Sequence, residues 1–144
     1  LVRVLWRKKP VWIFKRDAET LKSLESESLL EALADPEGSG NSKNQQPKYV
    51  TPNYRSIEGK EELAVIVGVC THLGCSPTYR PEPGAADLGG DSWKGGFYCP
   101  CHGSKFDLAG RVYAGVPAPT NLMIPPYSFV SETLIRIGVD PVTS

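Results

Sequence analysis

All the cysteines and histidines of this chain lie in two short clusters, and a fold that uses them as one site has to bring the clusters together. The first cluster, residues 70–75, reads Cys-Thr-His-Leu-Gly-Cys, and the second, residues 99–104, reads Cys-Pro-Cys-His-Gly-Ser. The 144-residue chain has four cysteines and two histidines, so none is left outside the clusters. Thiolates and imidazoles at these spacings are typical metal ligands. We therefore predict one metal site formed by two loops.

Length and charge exclude several classes of protein. A chain of 144 residues is long enough for one domain with a core of its own. Sixteen basic and sixteen acidic residues give zero net charge, which argues against nucleic acid as a partner. No apolar run approaches the roughly 18 residues of a membrane span. Because the chain begins at Leu1 and not at Met, we expect it to be a processed or truncated piece of a longer protein.

The N-terminal part of the chain predicts two strands followed by short helices. Residues 1–16 are rich in β-branched and aromatic residues around a basic turn that contains proline. Leucines at helical spacing predict one or two short helices over residues 18–34, with a break near Ser26. Residues 35–48 collect Pro, Gly, Ser, Asn and Gln without periodicity, so we expect an exposed loop there.

The rest of the chain predicts strands that lead into and out of the clusters. The apolar run at residues 63–69 predicts a buried strand that leads directly into Cys70. Between the clusters, prolines and glycines exclude helix over most of the segment and leave a strand at about residues 96–98. Residues 106–113 indicate a hairpin, and residues 134–139 a final strand. The predicted fold class is therefore mainly β, with one loop-rich lobe that carries the clusters.

Three kinds of site fit two cysteines and two histidines. Structural zinc uses this donor set, although zinc fingers usually pair Cys with Cys and His with His, whereas each cluster here offers one of each. A thiol redox site is suggested by Cys99-Pro100-Cys101, but thioredoxin-like proteins use Cys-x-x-Cys. A [2Fe–2S] centre would take cysteines on one iron and histidines on the other. Glycines that allow close backbone approach, and a serine that can donate to a sulfide, favour this third kind. The residues that favour it are Gly74, Pro100, Gly103 and Ser104.

The two clusters together resemble those of the Rieske iron–sulfur proteins of quinol:cytochrome c reductases, and the likeness extends beyond them. Residues 115–122, Gly-Val-Pro-Ala-Pro-Thr-Asn-Leu, resemble the proline-rich loop of that family, and residues 6–12 and 124–127 are similar to its bacterial branch. Rieske ferredoxins and oxygenase-type domains typically lack the additional cysteines, here Cys75 and Cys101. Such a domain is the alternative within the superfamily, and a structural zinc module is the alternative outside it.

The resemblance implies a role for each residue of the site. It implies one [2Fe–2S] cluster per chain and a disulfide between Cys75 and Cys101. His102 and His72 would face the quinol and accept its electron and proton. The implied metal ligands are Cys70, His72, Cys99 and His102. The implied neighbours of the cluster and its apolar collar are Ser104, Phe106, Leu73, Gly103 and Pro117.

The resemblance also implies an antiparallel β-sandwich or three-sheet fold in a single domain of residues 1–144. Its base would comprise about residues 1–66 and 124–144, and a loop-rich cluster-binding subdomain about residues 67–123. As the iron–sulfur subunit of an enzyme complex, the protein would oxidise membrane quinol and pass the electron to cytochrome c1, with cytochrome b as its other partner. The implied location is the periplasmic side of the bacterial inner membrane, with an N-terminal transmembrane anchor that is absent from this sequence.

One position departs from the family pattern. Many members have tyrosine where this chain has Phe106, two residues beyond Ser104. Phenylalanine keeps the packing of the ring but lacks the hydroxyl that donates to a ligand cysteine sulfur. We therefore predict a lower reduction potential than in relatives that have the tyrosine.

Overall fold

Three antiparallel sheets and two short helices make up the described part of the chain, which confirms the mainly β fold class. The structure is a computed structural model that describes residues 2–37, 45–51, 53–72, 74–88, 90, 93–131 and 134–138. The first sheet has the strand order β1-β2-β3, the second β4-β5-β6, and the third pairs β7 with β8. The strands are β1 (Val2–Trp6), β2 (Lys9–Lys15), β3 (Leu63–Val67), β4 (Thr78–Arg80), β5 (Gly96–Tyr98), β6 (Lys105–Asp107), β7 (Tyr127–Ser131) and β8 (Leu134–Ile137). The helices are α1 (Ala18–Ser23) and α2 (Glu27–Ala32), with a short 3₁₀ helix at Ala86–Leu88.

The predicted pair of N-terminal strands is confirmed, but its turn is shorter than expected. β1 and β2 pair antiparallel up to the two turn residues, Arg7 and Lys8. Both have positive φ, 51° and 66°, which is the backbone of tight hairpin turns that usually carry Asn and Gly. Pro10, which the sequence suggested for the turn, lies instead in β2. Proline is tolerated at this position because it lies near the start of the strand. The carbonyl oxygen of Pro10 accepts a hydrogen bond from the N–H of Gly68 at 2.8 Å.

The two helices form with the predicted break between them. α1 begins after Asp17, whose carboxylate accepts from the N–H of Thr20 at 2.8 Å and caps the helix. Residues 24–26 separate α1 from α2, and the leucine stripe buries Leu24 and Leu29 in the core. No helix in the parts of the chain that the structure describes has the length and apolar character needed to span a bilayer.

Several boundaries differ from the prediction. The strand predicted over residues 63–69 ends at Val67, where the chain turns toward the first cluster. β4 and the 3₁₀ helix lie in a segment expected to be loop, and β7 was not predicted. Such short strands are stabilised by pairing with neighbours more than by their own composition. Residues 38–44 of the predicted loop, and Val139 of the predicted final strand, lie outside the described residues.

Aromatic packing joins the first sheet to the second. The rings of Trp12 in β2 and Phe97 in β5 stack with centroids 4.8 Å apart, and Phe14 meets Phe97 edge-on at 5.7 Å. Gly68 lies against the same indole, and a Cβ atom there would collide with it. The chain leaving β3 for the first cluster is therefore packed directly onto the contact between the two sheets.

Three buried arginines surround the turn that follows β6. Arg16, Arg55 and Arg111 are each at most 3% exposed. Arg16 donates to the carbonyl oxygen of Leu108 at 3.2 Å, and Arg55 donates to that of Ala109 at 3.0 Å. Burial lowers the pKa of Arg16 to about 10 and that of Arg55 to about 9. Both guanidinium groups stay charged at neutral pH and are solvated by backbone carbonyls in place of water.

Asp107, at the end of β6, is a buried carboxylate paired with one of these arginines. Its Oδ2 accepts from Nε of Arg111 at 2.7 Å, and both side chains are fully buried. Its Oδ1 accepts from the backbone N–H groups of Ala109 and Arg111 at 2.9 and 2.8 Å. The turn after the second cluster is thus fixed from inside by charge-assisted hydrogen bonds.

Candidate metal centre

The two Cys/His clusters fold into loops that close in the same way. In each, the N–H of the first residue donates to the carbonyl of the sixth, at 2.7 Å in residues 70–75 and 2.8 Å in residues 99–104. The N–H of the fifth residue, a glycine, donates back to the first carbonyl at 2.9 Å in both loops. Gly74 and Gly103 both have a φ of 81°, a conformation that other residues adopt at a cost. The similar spacing of the two motifs therefore encodes one loop shape, used twice.

The four cysteines divide into a bonded pair and a free pair. Cys75 and Cys101 form a disulfide between the loops, with their Cα atoms 6.6 Å apart, which confirms the predicted pairing. Cys70 and Cys99 are free and buried, each 2% exposed. Each loop thus begins with a buried free thiol and contributes one half of the covalent link.

The environment of Cys70 contains donors for a thiolate. Burial raises the pKa of its thiol, and the hydrogen-bonded Cys99 thiol raises it further. The backbone N–H of His72 and the hydroxyl of Ser104 act in the opposite direction, because they donate to the sulfur and favour its charged form. A positive metal would complete this site, since the two thiols already face each other and donors already surround one of them.

The two histidines lie together at the surface. The rings of His72 and His102 have centroids 4.8 Å apart and are nearly perpendicular, at 85°. His102 is exposed and His72 is partly exposed. The loops therefore bring together two buried thiols and two accessible imidazoles, and this donor set fits a centre with two sulfur and two nitrogen ligands.

Sulfur proximity alone would select a different set of ligands. The sulfur atoms of Cys75, Cys99 and Cys101 all lie within 4.8 Å of one another. Two of these three form the disulfide, however, and a disulfide sulfur is not a thiolate ligand. Of these three cysteines, only Cys99 is available as a sulfur ligand, and the other free cysteine of the chain is Cys70.

A third loop, residues 115–121, is attached to both cluster loops. The hydroxyl of Thr71 donates to the carbonyl of Thr120 at 2.7 Å, and the Ser104 hydroxyl accepts from the N–H of Ala118 at 3.0 Å. The attachment buries Ala118, while Pro117 and the second proline of the loop stay exposed. Thr71 and its partner were missed by the sequence analysis, because nothing local marks a contact between residues 49 positions apart.

The remaining predicted residues are placed as follows. Phe106 is fully buried in β6, opposite Phe97 and two residues beyond Ser104. Gly103 lies inside the second loop, where its φ is required. Leu73 lies outside the described residues.

Sequence comparison decides which family uses this arrangement. Residues 42–128, more than half of the chain, match the Rieske [2Fe-2S] domain. The chain belongs to the Rieske family. Its cofactor is accordingly one [2Fe–2S] cluster, which decides among the three kinds of site in favour of the third.

Relatives of this Rieske chain include longer bacterial proteins. It is 55% identical to the ubiquinol-cytochrome c reductase iron-sulfur subunit of Allochromatium vinosum, over 97% of this chain and 64% of that protein. Its identity to the corresponding subunit of Blastochloris viridis is 44%, over 96% of this chain and 63% of that protein. The Rieske chain thus spans slightly less than two thirds of these relatives. The plasma membrane Rieske protein of Synechocystis is similar with a TM-score of 0.48 and 18% identity, over 94% of this chain and 82% of that one.

Proposed function

We propose that this chain is the electron-transferring head of the iron–sulfur subunit of a quinol:cytochrome c reductase. The proposal is carried by two accessible histidine rings 4.8 Å apart, on loops that each begin with a buried free cysteine. Its relatives at 55% and 44% identity are named ubiquinol-cytochrome c reductase iron-sulfur subunits. The disulfide and the proline loop favour this class over a Rieske ferredoxin or oxygenase-type domain, which typically lacks the extra cysteines.

The proposed ligands follow from the chemistry of the donor set. Because Cys75 and Cys101 are bonded to each other, the sulfur ligands are the two free cysteines. The nitrogen ligands are His72 and His102, since the chain has no other histidine. The four proposed ligands are Cys70, His72, Cys99 and His102.

The protein's own part in quinol oxidation is to accept the proton. When bound, the cluster supplies a one-electron acceptor, with a potential of roughly −150 to +300 mV in Rieske centres. His102 is exposed, and in this proposal its imidazole hydrogen-bonds the quinol hydroxyl and takes its proton. His72 is its less exposed companion. A quinol loses protons together with electrons. An imidazole at this surface therefore allows one proton and one electron to leave the quinol while it is bound at the same site.

The proposed partners are cytochrome b, which the head would contact to reach quinol, and cytochrome c1, to which it would deliver the electron. The exposed Pro117 beside the cluster loops supplies an apolar rim for the first contact. Residues 67–123 would form the cluster-binding part, and the remainder its base. An oxidised Cys75–Cys101 pair suits the periplasmic side of the inner membrane, because disulfides persist in oxidising compartments.

Absorbance, EPR and a redox titration of the purified, metal-replete chain test this function. We expect two irons per chain, a reddish-brown colour and a rhombic signal of low average g in the reduced state. The potential should fall by about 59 mV per pH unit wherever one proton accompanies the electron. A colourless protein with stoichiometric zinc would contradict the cluster, and a potential independent of pH would contradict proton acceptance by the histidines.

Serine substitutions test the ligand assignment separately. Cys70→Ser or Cys99→Ser should abolish binding of iron. The matched control, Cys75→Ser with Cys101→Ser, should bind iron in freshly loaded protein but unfold more easily. The expected loss is about 3.5 kcal/mol, the effect of removing a crosslink between cysteines 26 residues apart. If all the variants lost iron equally in fresh material, the division into ligands and crosslink would be wrong.

A further inference from the structure

The charges of this chain are distributed unevenly, although their sum is zero. Residues 1–16 contain six basic side chains and no acidic one. The other 128 residues therefore carry ten basic and all sixteen acidic side chains. Of the six N-terminal cations only Arg16 is buried. The β1–β2 hairpin is thus a positive projection on a protein that is otherwise acidic.

The same hairpin exposes apolar side chains. Every residue of β1 up to Leu5 is exposed, so that both faces of this strand meet solvent. Leu5 is 79% exposed and Val2 is 58% exposed, the largest exposures among the big apolar residues described. Large apolar side chains at such exposure are a feature of contact surfaces when they are grouped.

Apolar and basic residues are consecutive at the end of the hairpin, residues 5–9, which we call the basic hairpin tip. It reads Leu-Trp-Arg-Lys-Lys, and all of it is exposed except Trp6, which is partly exposed. The guanidinium carbon of Arg7 lies 5.0 Å from the centre of the Trp6 ring. Leucine and tryptophan beside lysine and arginine are the side chains that anchor proteins at a lipid interface, the first two among acyl chains and the others among phosphates.

The basic hairpin tip lies at one end of the first sheet. β3 finishes at this same end, and the chain continues from there to the first cluster. The carbonyl of Pro10, directly after the tip, accepts from the N–H of Gly68, two residues before Cys70. Val11 is correspondingly paired with Val67 in the ladder. A partner or membrane surface that contacts the end of the first sheet next to the metal centre can therefore also contact the basic hairpin tip.

We propose that the basic hairpin tip binds the surface of an anionic phospholipid bilayer, with Leu5 and Trp6 at the interface and Arg7, Lys8 and Lys9 among the phosphates. Charge complementarity supports this occupant, because each cation near a negative membrane adds to its attraction. The apolar pair supports a lipid over a purely polar acidic partner. The proposal does not depend on the electron-transfer function, because it concerns a surface outside the metal centre.

Vesicle binding by the 144-residue chain tests the proposal. The probes are vesicles of phosphatidylglycerol and phosphatidylcholine in equal parts, and vesicles of phosphatidylcholine alone, at low salt. Trp6 serves as the reporter, since Trp12 and Trp93 are at most 2% exposed. We expect sedimentation with the mixed vesicles, a blue shift of tryptophan emission and quenching by brominated acyl chains. Trp6→Phe should remove the shift and the quenching.

Charge variants test whether vesicle binding depends on the cations of the basic hairpin tip or only on the net charge of the chain. Reversing Arg7, Lys8 and Lys9 to Glu should weaken binding to the mixed vesicles at least tenfold, which is about 1.4 kcal/mol. Arg7→Asn with Lys8→Gly should also weaken it, and this pair suits the positive φ of the turn, so the hairpin stays folded. The matched control reverses three exposed cations elsewhere, Lys22, Lys48 and Arg136, for the same change in net charge.

The outcomes are distinct. Loss of binding in the tip variants, with binding retained in the control and abolished by 0.5 M salt, supports the proposal. Equal binding to neutral vesicles, equal loss in the control, or no binding to anionic vesicles would overturn it.

Discussion

At the scale of single residues, Phe106 offers a direct test of how the metal centre is tuned. It is fully buried two residues beyond Ser104, where a phenol could donate to a ligand sulfur. Phe106→Tyr should raise the reduction potential, because a donor stabilises the more negative reduced state. A hydrogen bond that is stronger by about 1.4 kcal/mol in the reduced state corresponds to a shift of about 59 mV in a one-electron couple. Protein-film voltammetry measures the shift.

The control for this change is the same substitution elsewhere. Phe129→Tyr, in the partly exposed β7, adds an identical hydroxyl outside the cluster loops and should leave the potential unchanged. An unchanged potential in Phe106→Tyr as well would show that this residue has only a packing role.

Two tyrosines, the partly buried Tyr113 and the fully buried Tyr127, are expected to respond oppositely to loss of their hydroxyl groups. Within the described residues, the buried hydroxyl of Tyr113 has no hydrogen-bond partner, and its ring stacks on Trp93 at 6.0 Å. Tyr113→Phe should therefore raise the free energy of unfolding by about 1 kcal/mol. The matched change, Tyr127→Phe, removes an acceptor for the N–H of Ile57 at 3.0 Å and should lower it by about 1 kcal/mol. Urea unfolding distinguishes them, and a loss in both would show that Tyr113 has a partner in solution.

At the scale of elements, the proline loop depends on side chains from both cluster loops. Thr71→Val keeps the shape of threonine but removes the hydroxyl that donates to Thr120 at 2.7 Å. We expect faster hydrogen exchange in residues 115–121 and a loss of about 1 kcal/mol in stability. Thr71→Ser restores the donor and should restore the protection. Unchanged exchange in the valine variant would mean that the Ser104 contact alone holds this loop.

At the scale of the whole molecule, three partly or fully buried tyrosines predict that stability is sensitive to alkali. Burial raises the pKa of Tyr79, Tyr113 and Tyr127 above the usual value of about 10. Above that pH the unfolded chain loses phenolic protons that the native protein retains, so the native state binds more protons. Stability should then fall as pH rises beyond about 10, by at most about 1.4 kcal/mol per pH unit for each tyrosine. Urea midpoints at pH 8 to 11 measure it, and Tyr113→Phe should reduce the slope.

How much of this molecule the sequence predicted depends on whether the determinant was local. Each cluster loop contains its own glycine within six residues, so the shape of the loop could be predicted, and the pairing of Cys75 with Cys101 is confirmed. β4 was missed because three residues acquire strand geometry only by pairing with β5. The buried arginines were also missed, since arginine is mostly exposed and nothing nearby marks Arg16 or Arg55 as partners of a distant turn.

The three fastened loops have a consequence for the speed of electron transfer. One covalent bond joins the two cluster loops, and Thr71 and Ser104 each hydrogen-bond to the third loop. When a site gains one unit of charge, loosely held dipoles around it rotate, and this reorganisation energy adds to the barrier. Dipoles that are already held in a fixed orientation rotate little, so they contribute little to the reorganisation energy. In the proposed electron-transfer role, the bound cluster would therefore gain and lose an electron quickly even at a small driving force.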